Sequence, residues 1–396
     1  MRRRLRRAVL VAACGAAFPA AAAPSGNPAV VPFEIANGHV FVKTRVAGRE
    51  LSFVLDTGAP VAIVDSARAR ELGLATGPEF AMNGAGANVG AAPVENAEYE
   101  LAGLPGFRAS LELASPLQAM APALGRDIDG VLGASFLRRF VVEIDWRAKA
   151  LRLHDPASFA YRGGGAIVPF RLRHGHPFVH GAVTPIGGAR IEGDFLVDLG
   201  SNGEIDLRAP FVAAHGLPGA NVPTIALDAI GAGGPLRGVL GRVESFELGG
   251  IRIRRPLTAF SKDTAGVNSL GGEAGSIGQR ILARFTVYFD YGRERMILEP
   301  HDEAAAASER AFSGLTLRAL GRDYRTFTVA HVVAGGAAEK AGIRESDVIA
   351  AIDGRPAAAW TLTGILDLFE KPEARSLLVR RGGRERNVVL TPGRLV

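Results

Sequence analysis

The sequence predicts a mainly β fold: two pseudo-symmetric lobes followed by a small α+β domain. Three observations carry this expectation. First, a segment is written twice. Val31-Pro32-Phe33-Glu34-Ile35 with Gly38-His39-Val40-Phe41-Val42 returns as Val168-Pro169-Phe170-Arg171-Leu172 with Gly175-His176-Pro177-Phe178-Val179, and such self-similarity signals a duplicated structural unit. Second, each copy runs through strand-like residues into an Asp-x-Gly turn. The turns are Phe53-Val54-Leu55-Asp56-Thr57-Gly58-Ala59 and Phe195-Leu196-Val197-Asp198-Leu199-Gly200-Ser201. Third, after Pro300 the pattern changes to short strands around one helix, whose apolar residues Leu362, Ile365, Leu366 and Phe369 share a face.

A chain of 396 residues, 47% of them apolar, is long enough for several buried cores. Its net charge is +6, and Arg2, Arg3, Arg4, Arg6 and Arg7 supply five of those charges. The remainder is nearly neutral, so it has no general electrostatic hold on phosphate backbones and no nucleic-acid partner is expected. Residues 1–23 read as a signal peptide: a basic start, an apolar stretch from Ala8 to Phe18, then small residues Ala20 to Ala23. The expected location is the periplasm or the extracellular space. Val11-Ala12-Ala13-Cys14-Gly15 offers an alternative processing site that would put a lipid anchor on Cys14 at the outer membrane. Cys14 is the only cysteine, which excludes an intrachain disulfide and a thiolate metal cluster. No later stretch is a candidate membrane span.

The first lobe is placed at 28–160 and the second at 166–300. In the first, Val61-Ala62-Ile63-Val64 leads to a short helix from Asp65 to Leu72, with Asp65 or Ser66 as cap and Gly73 as terminator. The second repeats this with Ile205-Asp206-Leu207 and Ala209 to His215. Each lobe then has a glycine-rich segment, Met82 to Gly90 and Ile230 to Pro235. The lobes close alike, through Asp129-Gly130-Val131-Leu132-Gly133 and Gly275-Ser276-Ile277-Gly278, each followed by a helix-like run and a strand. Tyr161-Arg162-Gly163-Gly164-Gly165 joins them and reads as a flexible linker. The third domain is placed at 313–396.

Two carboxylates on matching turns of a duplicated unit suggest a shared site. Close together they cannot both ionise, so they hold one proton between them over a wide pH range, and the titrations belong to the pair. One carboxylate then takes a proton from a bound water while the other protonates the carbonyl oxygen under attack. Glycine after the acid lets backbone N–H groups approach the carboxylates.

Asp56-Thr57-Gly58-Ala59, with Val131-Leu132-Gly133 and Ser276-Ile277-Gly278 far downstream of each acid, gives residues 31–300 their family likeness. They resemble the pepsin/retropepsin superfamily of aspartic proteases, in a form with two retropepsin-like lobes in one chain. The resemblance implies acid-protease-type β-barrel lobes and an endopeptidase acting on polypeptides through Asp56 and Asp198. It implies turn support from Thr57, Gly58, Gly200 and Ser201, and flaps carrying Gly84, Gly86, Gly231 and Gly233. It implies no cofactor, no metal, and a monomer that forms the site alone. The second motif departs from the family: Leu199 stands where Thr or Ser normally braces the two turns, and Ser276 weakens the apolar pair.

Residues 313–396 resemble a PDZ domain of the bacterial extracytoplasmic kind, on Ala334-Gly335-Gly336-Ala337-Ala338-Glu339-Lys340-Ala341-Gly342-Ile343, Asp347-Val348-Ile349 and Ile352-Asp353-Gly354. The likeness implies binding of peptides or protein C-termini as an added strand, with Phe327, Leu362, Ile365 and Leu366 as groove candidates. The cluster His174, His176 and His180 lacks acids at ligand spacing and reads as structural or surface histidines. No Gly-x-Ser-x-Gly or His-Glu-x-x-His occurs. Three readings stay open: a peptidase with an Asp56/Asp198 dyad, a peptide-binding protein whose second lobe is scaffold, and a site completed only between chains.

Overall fold

A computed structural model describes residues 27–227, 229–302, 304–307 and 310–394. The signal segment and Cys14 lie outside them. The repeat is visible as repeated strand pairing. Strands Ala29–Ala36, His39–Val46 and Arg49–Leu55 form an antiparallel meander, and so do Ala166–Arg173, His176–Thr184 and Ile191–Val197. The patterning sets which way each strand faces. Val31 and Phe33 are buried, as are Val168 and Phe170 at the same places in the second copy, while Val30 and Ile167 are exposed.

Each half inserts a short strand beside the one that leads into its aspartate. Gly130–Leu132 runs parallel to Arg49–Leu55 and antiparallel to Ile63–Asp65. Gly275–Ile277 runs parallel to Ile191–Val197 and antiparallel to Ile205–Leu207. The halves share a six-stranded antiparallel sheet. Its order is residues 29–32, Ala150–His154, Val141–Asp145, Phe285–Asp290, Arg295–Pro300 and residues 166–169. The central pairing, Val141 with Asp290 through Ile144 with Val287, joins one half to the other. One apolar core runs through both, from Val31 to Ala304.

The join between the halves differs from its expected flexibility. Tyr161 Oη donates to Glu299 at 2.7 Å and accepts from the Gly165 amide at 2.7 Å, so an aromatic anchor ties down the glycine run. The short helix Ser66–Glu71 is capped by Asp65, which accepts from the Ala67 and Arg68 amides.

The C-terminal domain has its own sheet, in the order Leu315–Leu320, Thr326–Val332, Val348–Ile352, Arg375–Arg381 and Arg384–Leu390, with the helix Leu362–Phe369 packed on it. Thr361 caps that helix by accepting from the Gly364 amide. Phe327 and Ile365 have no exposed surface and sit in this domain's core, which corrects their assignment as groove residues: an apolar helix face must first fill its own core. Leu362 is also covered, with Gly125 of the first half against it. Leu366 is only partly buried. Further contacts hold the domain to the rest. The Asn37 amide donates to Thr363 Oγ1 at 2.8 Å, Tyr324 Oη donates to Asp127 at 2.7 Å, and Glu370 pairs with Arg280 and Arg310 at 2.6 and 2.9 Å. None of the described helices is long and apolar enough to cross a membrane.

Candidate active site

Both aspartates are delivered in the same way. Leu55 and Val197 are fully buried, and the next residue turns out of the sheet. The Asp56 amide donates to the Leu132 carbonyl at 3.0 Å, and the Asp198 amide to the Ile277 carbonyl at 2.9 Å. Each carboxylate is then bound by its own turn. The Gly58 amide donates to Asp56 Oδ1 at 2.6 Å and the Gly200 amide to Asp198 Oδ1 at 2.9 Å.

The turns face one another. A methyl group on Gly200 would stand 2.5–2.6 Å from the Asp56 carboxyl atoms, and one on Gly58 would stand 2.9 Å from Asp198 Oδ1. Each glycine therefore leaves the room the opposite carboxyl occupies. Each carboxyl thus acts on the other across a short gap. Burial pushes Asp56 up to about 6 against the pull of the Gly58 and Gly200 amides. Burial, then the charges of Asp56 and Asp206, push Asp198 up to about 8. These belong to one coupled pair that holds a proton through slightly acidic and neutral pH.

Thr57, with no solvent exposure, ties the two turns together. Its hydroxyl donates to the Val197 carbonyl at 2.6 Å and accepts from the Leu199 amide at 2.8 Å. Leu199 offers no hydroxyl in return and is fully buried, so this brace runs from one side only. Gln279 Nε2 instead donates to the Leu199 carbonyl.

Ser201 turns away from the dyad. Its hydroxyl donates to Asp206 at 2.8 Å and accepts from the Gly203 amide at 3.1 Å. Asp206 is a third carboxyl whose burial raises its pKa, with the Ser201 hydroxyl bonded to it. Eight residues past the first aspartate, the corresponding position is the buried Val64.

Two histidines reach the turns. His39 has Nε2 3.0 Å from the Gly200 carbonyl and Nδ1 3.0 Å from the Asn37 carbonyl. His176 lies beside the Thr57 backbone, with its Nδ1 buried. Burial lowers the pKa of both. Sequence reasoning assigned His176 no more than a structural place and His39 no role. The available signal was the recurrence of Gly-His directly after the first strand of each copy.

The glycine-rich segments meet at their tips. Gly84 and Gly86 lie between strands Phe80–Asn83 and Asn88–Pro93, and Gly231 and Gly233 lie in the hairpin Ala229–Gly231 with Gly234–Leu236. The Gly86 amide donates to the Ala232 carbonyl at 3.0 Å, and the Val267 amide to the Gly84 carbonyl at 3.0 Å. A side chain on Gly84 would stand 2.4 Å from the Ala232 carbonyl oxygen, so the tips interlock as bare backbone.

Residues 42–136, which include Asp56, match the aspartyl protease family model. Residues 304–375 match the PDZ domain model. The chain thus carries an aspartyl protease domain and a C-terminal PDZ domain, and the latter is a peptide-binding module. No curated protein matches the chain.

Proposed function

We propose that this protein is an exported aspartic endopeptidase that hydrolyses peptide bonds with a water held between Asp56 and Asp198. The observation that carries the reading is the cross-contact of the two turns: each carboxyl fills the space left by the opposite glycine, and Thr57 ties the turns together. In the singly protonated pair, the carboxylate removes a proton from water as its oxygen bonds to the substrate carbonyl carbon. The protonated partner gives its proton to the carbonyl oxygen. Collapse of the resulting diol returns a proton to the carboxylate left by that donation, while the proton taken from water passes to the leaving amine.

The interlocked tips support a role as paired flaps that part to admit a polypeptide and close over it. The PDZ domain supports recruitment of peptides or control of access to the cleft. Export rests on the basic and apolar start of the chain. The site is one that a single chain forms alone.

The test uses residues 24–396 with unfolded protein substrates between pH 3 and pH 8. The wild type should cleave, and both Asp56→Asn and Asp198→Asn should remove cleavage while the fold persists. Retained cleavage in Asp198→Asn would mean that the second half is scaffold and that Asp56 finds its partner elsewhere.

A further inference from the structure

A PDZ domain takes an extended peptide as one more strand at a sheet edge, beside a helix. In this chain that edge is Leu315–Leu320, the end strand of the domain's sheet, which pairs only with Thr326–Val332 among the described residues. The helix Leu362–Phe369 packs beside it. An added strand would run about 4.8 Å from the edge.

That space is taken. The short helix Ala121–Leu124 of the first half lies along Leu315–Leu320 with Cα atoms within 8 Å, nearer than the roughly 10 Å between stacked layers. Gly125 follows it, and a methyl there would stand 2.6 Å from Leu362 Cβ. The segment therefore touches both walls, strand and helix. Its contacts are built on each side. Asn37 binds three partners at once: its amide donates to Thr363 Oγ1 at 2.8 Å, its Nδ2 donates to the Ala123 carbonyl at 2.8 Å, and its carbonyl accepts from Asn202 Nδ2 at 3.1 Å. Past the other end, Tyr324 Oη donates to Asp127 at 2.7 Å. Among the described residues no backbone hydrogen bond joins the segment to the strand. The segment covers the edge without pairing it, and the outward N–H and C=O groups of the edge are those a peptide would pair.

We propose that the PDZ groove is plugged by the chain itself: residues 121–125 of the first half occupy the place of the peptide, and an extended peptide or protein C-terminus binds only when the PDZ domain comes off that half. The plug stays where it is and the domain moves. Ala121 and Leu124 are buried, and Leu124 belongs to an apolar cluster of the first half with Phe41, Val54 and Ile128. The pairs of Glu370 with Arg280 and Arg310 are partly exposed and break in that motion. Peptide capture and docking thus compete for one groove. The proposal rests on peptide binding by the PDZ domain and not on the dyad, so it stands or falls apart from the peptidase reading.

The experiment uses residues 24–396, with Asp56→Asn throughout so that no probe is cleaved. It compares this chain with a loosened form carrying Tyr324→Phe and Glu370→Lys, which lacks the bond to Asp127 and the pairs with Arg280 and Arg310. The probe is a randomised pool of fluorescein-labelled decapeptides with free C-termini, read by fluorescence polarisation. The loosened form should bind members of the pool at least about 10-fold more tightly, as when the open form of the parent is about a tenth of the population or less. Adding Leu366→Glu, a charge in the groove, should remove that gain. Equal affinities in the two forms, or a gain that survives Leu366→Glu, would overturn the proposal. Loosening is checked separately. Cys14 is absent from 24–396, so Thr363→Cys supplies the sole thiol, and it should react at least about 10-fold faster in the loosened form. Equal rates, or faster labelling in a form that binds no peptide, also overturn the proposal.

Discussion

Replacing Thr57 with valine removes one hydroxyl and nearly nothing else. That hydroxyl donates to the Val197 carbonyl and accepts from the Leu199 amide, in a place without solvent. Valine keeps the shape, so no large cavity opens. It leaves a buried carbonyl and a buried N–H without these partners, at about 1–3 kcal/mol each. The expected destabilisation is therefore about 2–6 kcal/mol. The chain has two tryptophans, Trp146 in the core shared by the halves and Trp360 against the PDZ core. Urea unfolding of a Trp360→Phe background, followed by Trp146 fluorescence, isolates the relevant transition. With a slope of about 3 kcal/mol/M for a unit of this size, the midpoint should fall by roughly 1 M. Cleavage should fall at least about 100-fold, because the turns would no longer hold the carboxyls in register. Thr57→Ser keeps the hydroxyl and should lie within about 1 kcal/mol of wild type. A valine variant with unchanged midpoint, or a serine variant as unstable as valine, would refute the reasoning.

Three further outcomes are expected. Asp56 and Asp198 have folded-state pKa values raised above those of the unfolded chain, so the native state binds more protons between the two. Stability from the pair is full below the ordinary carboxyl range and is lost as pH rises through about 6 and 8. Asp198→Asn should therefore match wild-type stability near pH 4 and exceed it by a few kcal/mol near pH 8, read from thermal melts; a gap that does not widen with pH would contradict this. Gly86→Ala would put a methyl 2.7 Å from the Gly234 carbonyl oxygen and part the tips. It should speed amide exchange at residues 84–87 and 231–234 and raise KM more than it lowers kcat. Glu370→Gln weakens the pairs with Arg280 and Arg310. It should loosen the PDZ domain and speed proteolytic cleavage in the 301–311 link, with the domain's own melting unchanged.

Much of this was legible in the chain because duplication is written in the residues themselves. The paired Val-Pro-Phe openings, the two Asp-x-Gly turns and the downstream glycines each mark one place in a repeating strand order. The PDZ stretch was legible in the same way, by local turn and helix signals. The groove assignments were harder: a helix face of Leu362, Ile365 and Leu366 looks the same whether it lines a groove or fills a core, and burial showed that Ile365 does the second. The flexible join was misjudged because its glycines say nothing of the Tyr161 hydroxyl that anchors them.

The sequence by itself determined the β periodicity, the duplication, and where carboxyl, hydroxyl and glycine stand in each turn. These are local matters, decided by side-chain period and backbone freedom. Tertiary structure alone decided what crosses from one half to the other. It put Asp56 into the space left by Gly200, gave the Thr57 hydroxyl two partners more than a hundred residues away, and turned Ser201 toward Asp206. It also carried His39 onto the Gly200 carbonyl. Those contacts depend on how two packed halves meet, and no spacing along the chain encodes that meeting.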